Sequence, residues 1–225
     1  MLKRIFALGV LAFLAACATS APKTFSGQFT PPPANSRVLV MTPDVQLSVL
    51  GAAGLAEPRQ DWSISGRDNL AQAIAAYVQA KSHSTNALDP TTAMEGRVGQ
   101  IIRLHDAVGS SILAINYGFV SVPTRNDNFE WTLGEGVREL GAAHNADYAL
   151  FVRGQGTYSS GARMALAVLS LSATGAGQTV FSSLVDLRTG NVIWFNNVIA
   201  APSQDMRTPE GAASLAATLM QDAPL

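Results

Sequence analysis

"VFSSLVDLRTGNVIWFNNV", residues 180–198, holds two runs rich in β-branched and aromatic residues joined at Arg188, Thr189 and Gly190. Glycine reaches the left-handed backbone region that a short hairpin turn with a bulge requires, so the stretch predicts an antiparallel β-hairpin. Upstream, "ADYALFVRGQGTY" at 146–158 alternates Tyr148, Leu150 and Val152 with Phe151 and Arg153, which predicts another strand. Downstream, "RTPEGAASLAATLMQD" at 207–222 predicts a closing helix. Thr208 can cap it, Pro209 suits its first position, and Leu215 and Leu219 face inward.

Toward the amino terminus, helical and extended patterns alternate. Thr132 with Glu135 three residues later matches a capping box. Leu133, Val137 and Leu140 then line one face of a short helix ending near Asn145. The loop before it, "SVPTRNDNFEWTLGEG" at 121–136, is polar except for Phe129 and Trp131, candidate contact residues or candidate core. A longer helix places Met94, Val98, Ile101, His105, Val108 and Ile112 on a stripe widened by Ile102 and Leu113, suited to packing on a sheet or to helix pairing. "ALDPTT" precedes it as a breaker, and a helix over 66–81 buries Leu70, Ala73, Ile74, Tyr77 and Val78, after a loop over 51–66. The run from Val38 to Met41 reads as a strand buried on both faces; Pro43 interrupts it, and Val45, Leu47 and Val49 resume with one face wet. The expected fold is a single α/β domain over 37–225, with a mixed β-sheet, helices packed on it, a carboxy-terminal β-hairpin and a closing helix.

The segment "ARMALAVLSLSATGAG", 162–177, is nearly free of charge. It reads either as a buried helix or strand, or as an exposed apolar flap that meets lipid or a partner. With the strand after it, its length also suits a membrane β-hairpin, which would need partners to close a barrel.

At the other end of the chain, Lys3 and Arg4 precede an uninterrupted apolar stretch from Ile5 to Ala16, the layout of a secretory signal. Twelve residues fall short of the roughly 20 that a spanning helix needs, so the segment predicts export rather than a permanent anchor. It ends in Leu14, Ala15, Ala16 and Cys17, which resembles the lipobox of bacterial lipoproteins. That resemblance implies a signal peptide over 1–16, diacylglycerol on the Cys17 thiol, cleavage before it and a fatty acid such as palmitate on the new amino terminus. Ala18, where an aspartate would signal retention, implies sorting to the outer membrane, facing the periplasm. The competing reading leaves Cys17 inside a signal cut elsewhere, for instance after Ala21. Several acyl chains hold a protein to a bilayer where one does not, because each buried methylene contributes ~0.8 kcal/mol. The small, polar, proline-rich stretch 18–36 predicts an extended tether after the lipidated cysteine.

Cys17 is the only cysteine, so no disulfide supports the fold. Lys3 and Arg4 leave with the signal, so 15 basic residues fall to 13 against 16 acidic ones, a formal charge of -3. Mild acidity argues against nucleic acid as a partner.

Reactive constellations are scarce. His83, His105 and His144 are far apart, without neighbours at metal-ligand spacing, and read as structural. "SAPK" at 20–23 has a Ser-x-x-Lys spacing but sits in the tether, "ATGAGQT" at 173–179 lacks the lysine of a phosphate loop, and "GQGTYSSG" at 154–161 lacks dinucleotide spacing. No catalytic residue, metal or cofactor is expected.

Three features together resemble a known family: the lipobox, "VRELGAAHNADYALFVRG" at 137–154, and "SLVDLRTGNVIWFN" at 183–196, where a strand, Asp186, the Thr189-Gly190 turn and a strand bearing Trp194 follow one another. These are similar to the periplasmic lipoproteins that share the fold of the curli secretion protein CsgG, the synthase activator LpoB and the amino-terminal domain of TolB. The resemblance implies a layered α/β domain and a non-catalytic role: binding a partner in envelope assembly, transport or peptidoglycan synthesis. Self-assembly into a secretion pore is the alternative it implies, although no pair of amphipathic spanning hairpins is evident.

Overall fold

The computed structural model describes residues 21–118, 120–125, 128–170 and 175–225. Leu14, Ala15, Ala16 and Cys17 lie outside the described residues. Eight strands form one mixed sheet: β1 (Lys23–Thr24), β2 (Arg37–Met41), β3 (Asp44–Leu50), β4 (Ala56–Pro58), β5 (Ser84–Leu88), β6 (Tyr148–Ser159), β7 (Gly177–Asp186) and β8 (Val192–Ile199). Five α-helices accompany them among the described residues: α1 (Gln60–Ala80), α2 (Gly96–Ile112), α3 (Arg138–His144), α4 (Gly161–Ser170) and α5 (Pro209–Leu219). The strand order is β1-β8-β7-β6-β2-β5. β6 pairs along its other edge with two strands in succession, with β2 at Tyr148 to Leu150 and with β3 from Arg153 onward, both parallel. Pro43 lies between those two strands and has no amide to donate, which separates the two pairings.

Side chains alternate across the strands and build a core on each face. On one face Val38, Val40, Leu150 and Leu184 meet Leu70 and Ile74 of α1 and Leu215 of α5. On the other, Leu39, Met41, Phe151, Val185 and Phe195 meet Ile101 and Ile112 of α2 and Leu140 of α3. The architecture is therefore helix, sheet, helix, as expected for an α/β domain. The hairpin forms as read: Gly190 takes φ +81°, its amide bonds Asp186 O at 2.8 Å, and a register shift places one extra residue before Trp194. The closing helix also forms, with Thr208 accepting from Gly211 N at 3.1 Å and Pro209 at its start.

Several expectations are corrected. Part of the proline-rich stretch is held on the domain: Lys23 and Thr24 pair with Phe195 and Trp194, and Phe25 and Phe29 pack against the core. α1 begins six residues before the expected start, and Gly66 lies inside it, facing β3 so closely that a Cβ there would lie 3.1 Å from Val45. Thr132 does not cap through a box with Glu135. Its hydroxyl accepts from Gly134 N and donates to Gly190 O, while Glu135 pairs with Arg138. α2 starts at Gly96, leaves Met94 exposed and continues as a π-helix over Leu113–Tyr117. Within the apolar stretch, residues up to Ser170 belong to the exposed helix α4, and β7 is enclosed between β6 and β8. The spanning-hairpin reading therefore fails, since both edges and both faces of β7 are occupied within the domain. No described helix is long and apolar enough to cross a membrane.

Candidate functional site

The handover of β6 from β2 to β3 opens a cleft of about 420 Å³ at the carboxyl end of β2. Ligands of open α/β sheets sit at carboxyl ends of strands where neighbouring connections part. Met41, Val45 and Phe151 give the cleft an apolar floor; Ile64 and Arg67 of α1 wall one side, His105 of α2 the other. Its polar groups are mixed in sign: Arg67 and Arg153 against Asp44, Asp89 and Asp106. Arg153 is one third exposed and reaches Asp44 at 3.5 Å and Asp106 at 4.0 Å, distances too long for strong hydrogen bonds. Asp89 accepts from the Thr91 hydroxyl at 2.7 Å and the Thr91 amide at 2.9 Å, which holds its carboxyl below the usual range.

His105 sits behind this wall, 3% exposed, stacked on Phe151 at 3.8 Å between ring centroids. Its Nε2 shares a hydrogen of 2.6 Å span with Ser183 Oγ, and its Nδ1 lies 3.8 Å from Asp106. Burial pushes the imidazole below the usual histidine range. Serine, histidine and aspartate thus stand in triad order, but Ser183 is 1% exposed in the middle of β7 and the aspartate is beyond hydrogen-bond reach. The arrangement satisfies a buried polar pair and offers no serine to a substrate. Among the described residues no three His, Cys, Asp or Glu side chains converge on a metal-sized position.

The residues singled out in the sequence lie elsewhere. Phe129 and Trp131 are 3% and 8% exposed and belong to the core, with Trp131 Nε1 donating to Asn116 at 2.9 Å. They are not available as contacts; their loop reads as polar only because its apolar members point inward. Asp186, Thr189, Gly190 and Trp194 build the hairpin: Asp186 accepts from the Arg188 amide at 2.8 Å, Thr189 from the Asn191 amide at 3.3 Å, and Trp194 is fully buried. His83 is buried and does not line the cleft. The cleft itself escapes sequence reading because its walls come from segments more than a hundred residues apart; the Pro43 break was its one local sign.

A second surface stands out at the far end of the strands from the hairpin turn. On α4, Met164, Leu166, Val168 and Leu169 are 50%, 47%, 75% and 81% exposed, and Ala167 alone is buried. The α4 residue Arg163 lies against the β3–β4 turn at Gly54, beside the exposed Leu55. Ile199, also exposed, ends β8 opposite Thr179 at the same end of the sheet.

No family model matches the chain. No curated protein matches it either. Among solved structures, the chain is similar to a PelC dodecamer from Paraburkholderia phytofirmans, with 15% identity, TM-score 0.41, and coverage of 92% of this chain and 98% of that one. It is similar also to the lipoprotein GNA1162 from Neisseria meningitidis, with 10% identity, TM-score 0.31, and coverage of 73% and 78%. A third similar structure is the LpoB carboxy-terminal domain from Salmonella enterica, with 11% identity, TM-score 0.28, and coverage of 74% and 82%.

Proposed function

We propose that this chain is a lipid-anchored protein of the bacterial outer membrane, acylated at Cys17 and facing the periplasm, that works by binding an envelope partner rather than by catalysis. One observation carries the reading: Leu14, Ala15, Ala16 and Cys17 follow directly on the apolar run of an export signal. The cleft supports binding over catalysis, since it joins an apolar floor to charges of both signs while its one histidine is engaged with a buried serine. Arg153, held only by long ion pairs, is the group a partner carboxylate or amide would engage.

Labelled palmitate fed to cells tests the anchor. The mature chain takes up label and fractionates with the outer membrane, and Cys17→Ser loses both; an unlabelled chain free in the periplasm contradicts the reading. A photo-crosslinker at Ile64, on the rim of the cleft, tests the binding. It captures one envelope protein, and capture is lost in Arg153→Ala; capture indifferent to Arg153 removes the cleft from the proposal.

A further inference from the structure

We infer that α4 is an interfacial helix that dips into the bilayer, so that the lipid anchor and the α4 end of the sheet hold the domain upright on the membrane. The inference rests on the lipoprotein reading and adds to it an orientation and a contact surface.

Two independent observations point to lipid as the occupant. The first is the composition and exposure of α4: in "GARMALAVLS", Arg163 is the one charged residue, and the large apolar side chains face outward. Four large apolar side chains exposed together on one ten-residue helix mark a surface that is covered in use. The second is where the anchored end of the chain leads. β1 is antiparallel to β8, with Thr24 opposite Trp194 and Lys23 opposite Phe195, so the chain traced toward Cys17 advances along β8 toward Ile199. Ala21 is held there, its carbonyl accepting from Tyr117 Oη at 3.3 Å. Cys17 precedes Ala21 by only four positions, at most ~14 Å of fully extended chain.

The end of β8 is also the α4 end. Ile199 pairs with Thr179 near the start of β7, and α4 connects the end of β6 to that start. A short tether therefore brings to the bilayer the same end of the sheet that carries Met164, Leu166, Val168 and Leu169. Leu55 and Ile199, exposed at that end, extend the apolar surface. Because α4 is almost uncharged, its contact is with acyl chains and not with headgroup charge, so it is indifferent to salt and to anionic lipid.

The test uses the full mature lipoprotein in phosphatidylcholine vesicles. Acylated Cys17 leaves no free thiol, so Leu169→Cys and, at the opposite end, Thr189→Cys each carry one environment-sensitive fluorophore. The Leu169 probe is expected to shift to the blue and to lose most of its emission to lipids with brominated acyl chains, equally with and without phosphatidylglycerol. The Thr189 probe stays in water. A Leu169 probe that remains in water on a protein whose amino-terminal peptide has the acylated mass overturns the inference and leaves the anchor standing. A blue-shifted probe that brominated chains do not quench places α4 against a second copy of the chain, and also overturns it. An unacylated Cys17 overturns the anchor reading, and the inference with it.

Discussion

The two ends of this sheet are built from the same strands and differ in what they present. At the hairpin end several charged side chains are tied to neighbours. Arg37 pairs with Asp147 at 2.8 Å, Arg188 with the buried Asp186 at 3.1 Å, and Arg138 donates to the Arg188 carbonyl at 2.8 Å. At the other end α4 exposes leucine, valine and methionine. Strand pairing and core packing are continuous between the two ends, so folding alone does not account for the difference. The hairpin end is finished against water, whereas α4 leaves an apolar face open.

Substitutions separate the two ends by size of effect. Gly190→Val forces a branched residue to φ +81° and sets a Cβ 2.2 Å from the Gly134 carbonyl oxygen. It should cost ~3 kcal/mol or more of unfolding free energy in denaturant melts. Asp186→Ala strands the Arg188 amide at a buried turn and should cost ~1–2 kcal/mol, most of it from the amide bond, since Arg188 itself is solvated. At the apolar end, Leu169→Asp should change stability by less than ~0.5 kcal/mol although it replaces a leucine, because that side chain is 81% exposed. A large loss from Leu169→Asp would show that α4 is packed in the free domain and would erase the contrast.

Between the ends, His105 adds a dependence on pH. Its folded form resists protonation, so as pH falls below about 6.5 the unfolded chain takes up a proton that the folded chain refuses. Stability is full above that value and declines on acidification. The decline should shrink in His105→Gln, read from melts at pH 7.5 and pH 5; an unchanged slope would show that another group is responsible.

The legible elements were those that follow local rules. Thr189-Gly190 names a turn, alternating Tyr148, Leu150 and Val152 name a strand, and Thr208-Pro209 names a helix start; each rule is local and each element formed. What stayed hidden depends on distant backbone. β1 is two residues, Lys23 and Thr24, inside a proline-rich stretch, and only pairing with β8 makes it a strand. β5, "STNAL", has no apolar alternation and is held by backbone pairing with β2. Phe129 and Trp131 looked like loop aromatics because burial by a sheet and a helix elsewhere in the chain has no sequence signature. The apolar run over 162–177 was evident, but periodicity does not say whether a helix is covered, and Met164, Leu166, Val168 and Leu169 of α4 are exposed.

The contrast between the ends is tested most directly by measuring the height of each above the bilayer. Energy transfer from a donor at residue 169 or residue 189 to acceptors at the lipid surface, in the acylated protein on vesicles, reports both. Strand β7 alone spans 10 residues, ~33 Å at the rise of a strand. The expected result is strong transfer from 169 and weak transfer from 189, which stands that far from the lipid. Equal transfer from the two positions, or stronger transfer from 189, would contradict a domain that stands on its α4 end.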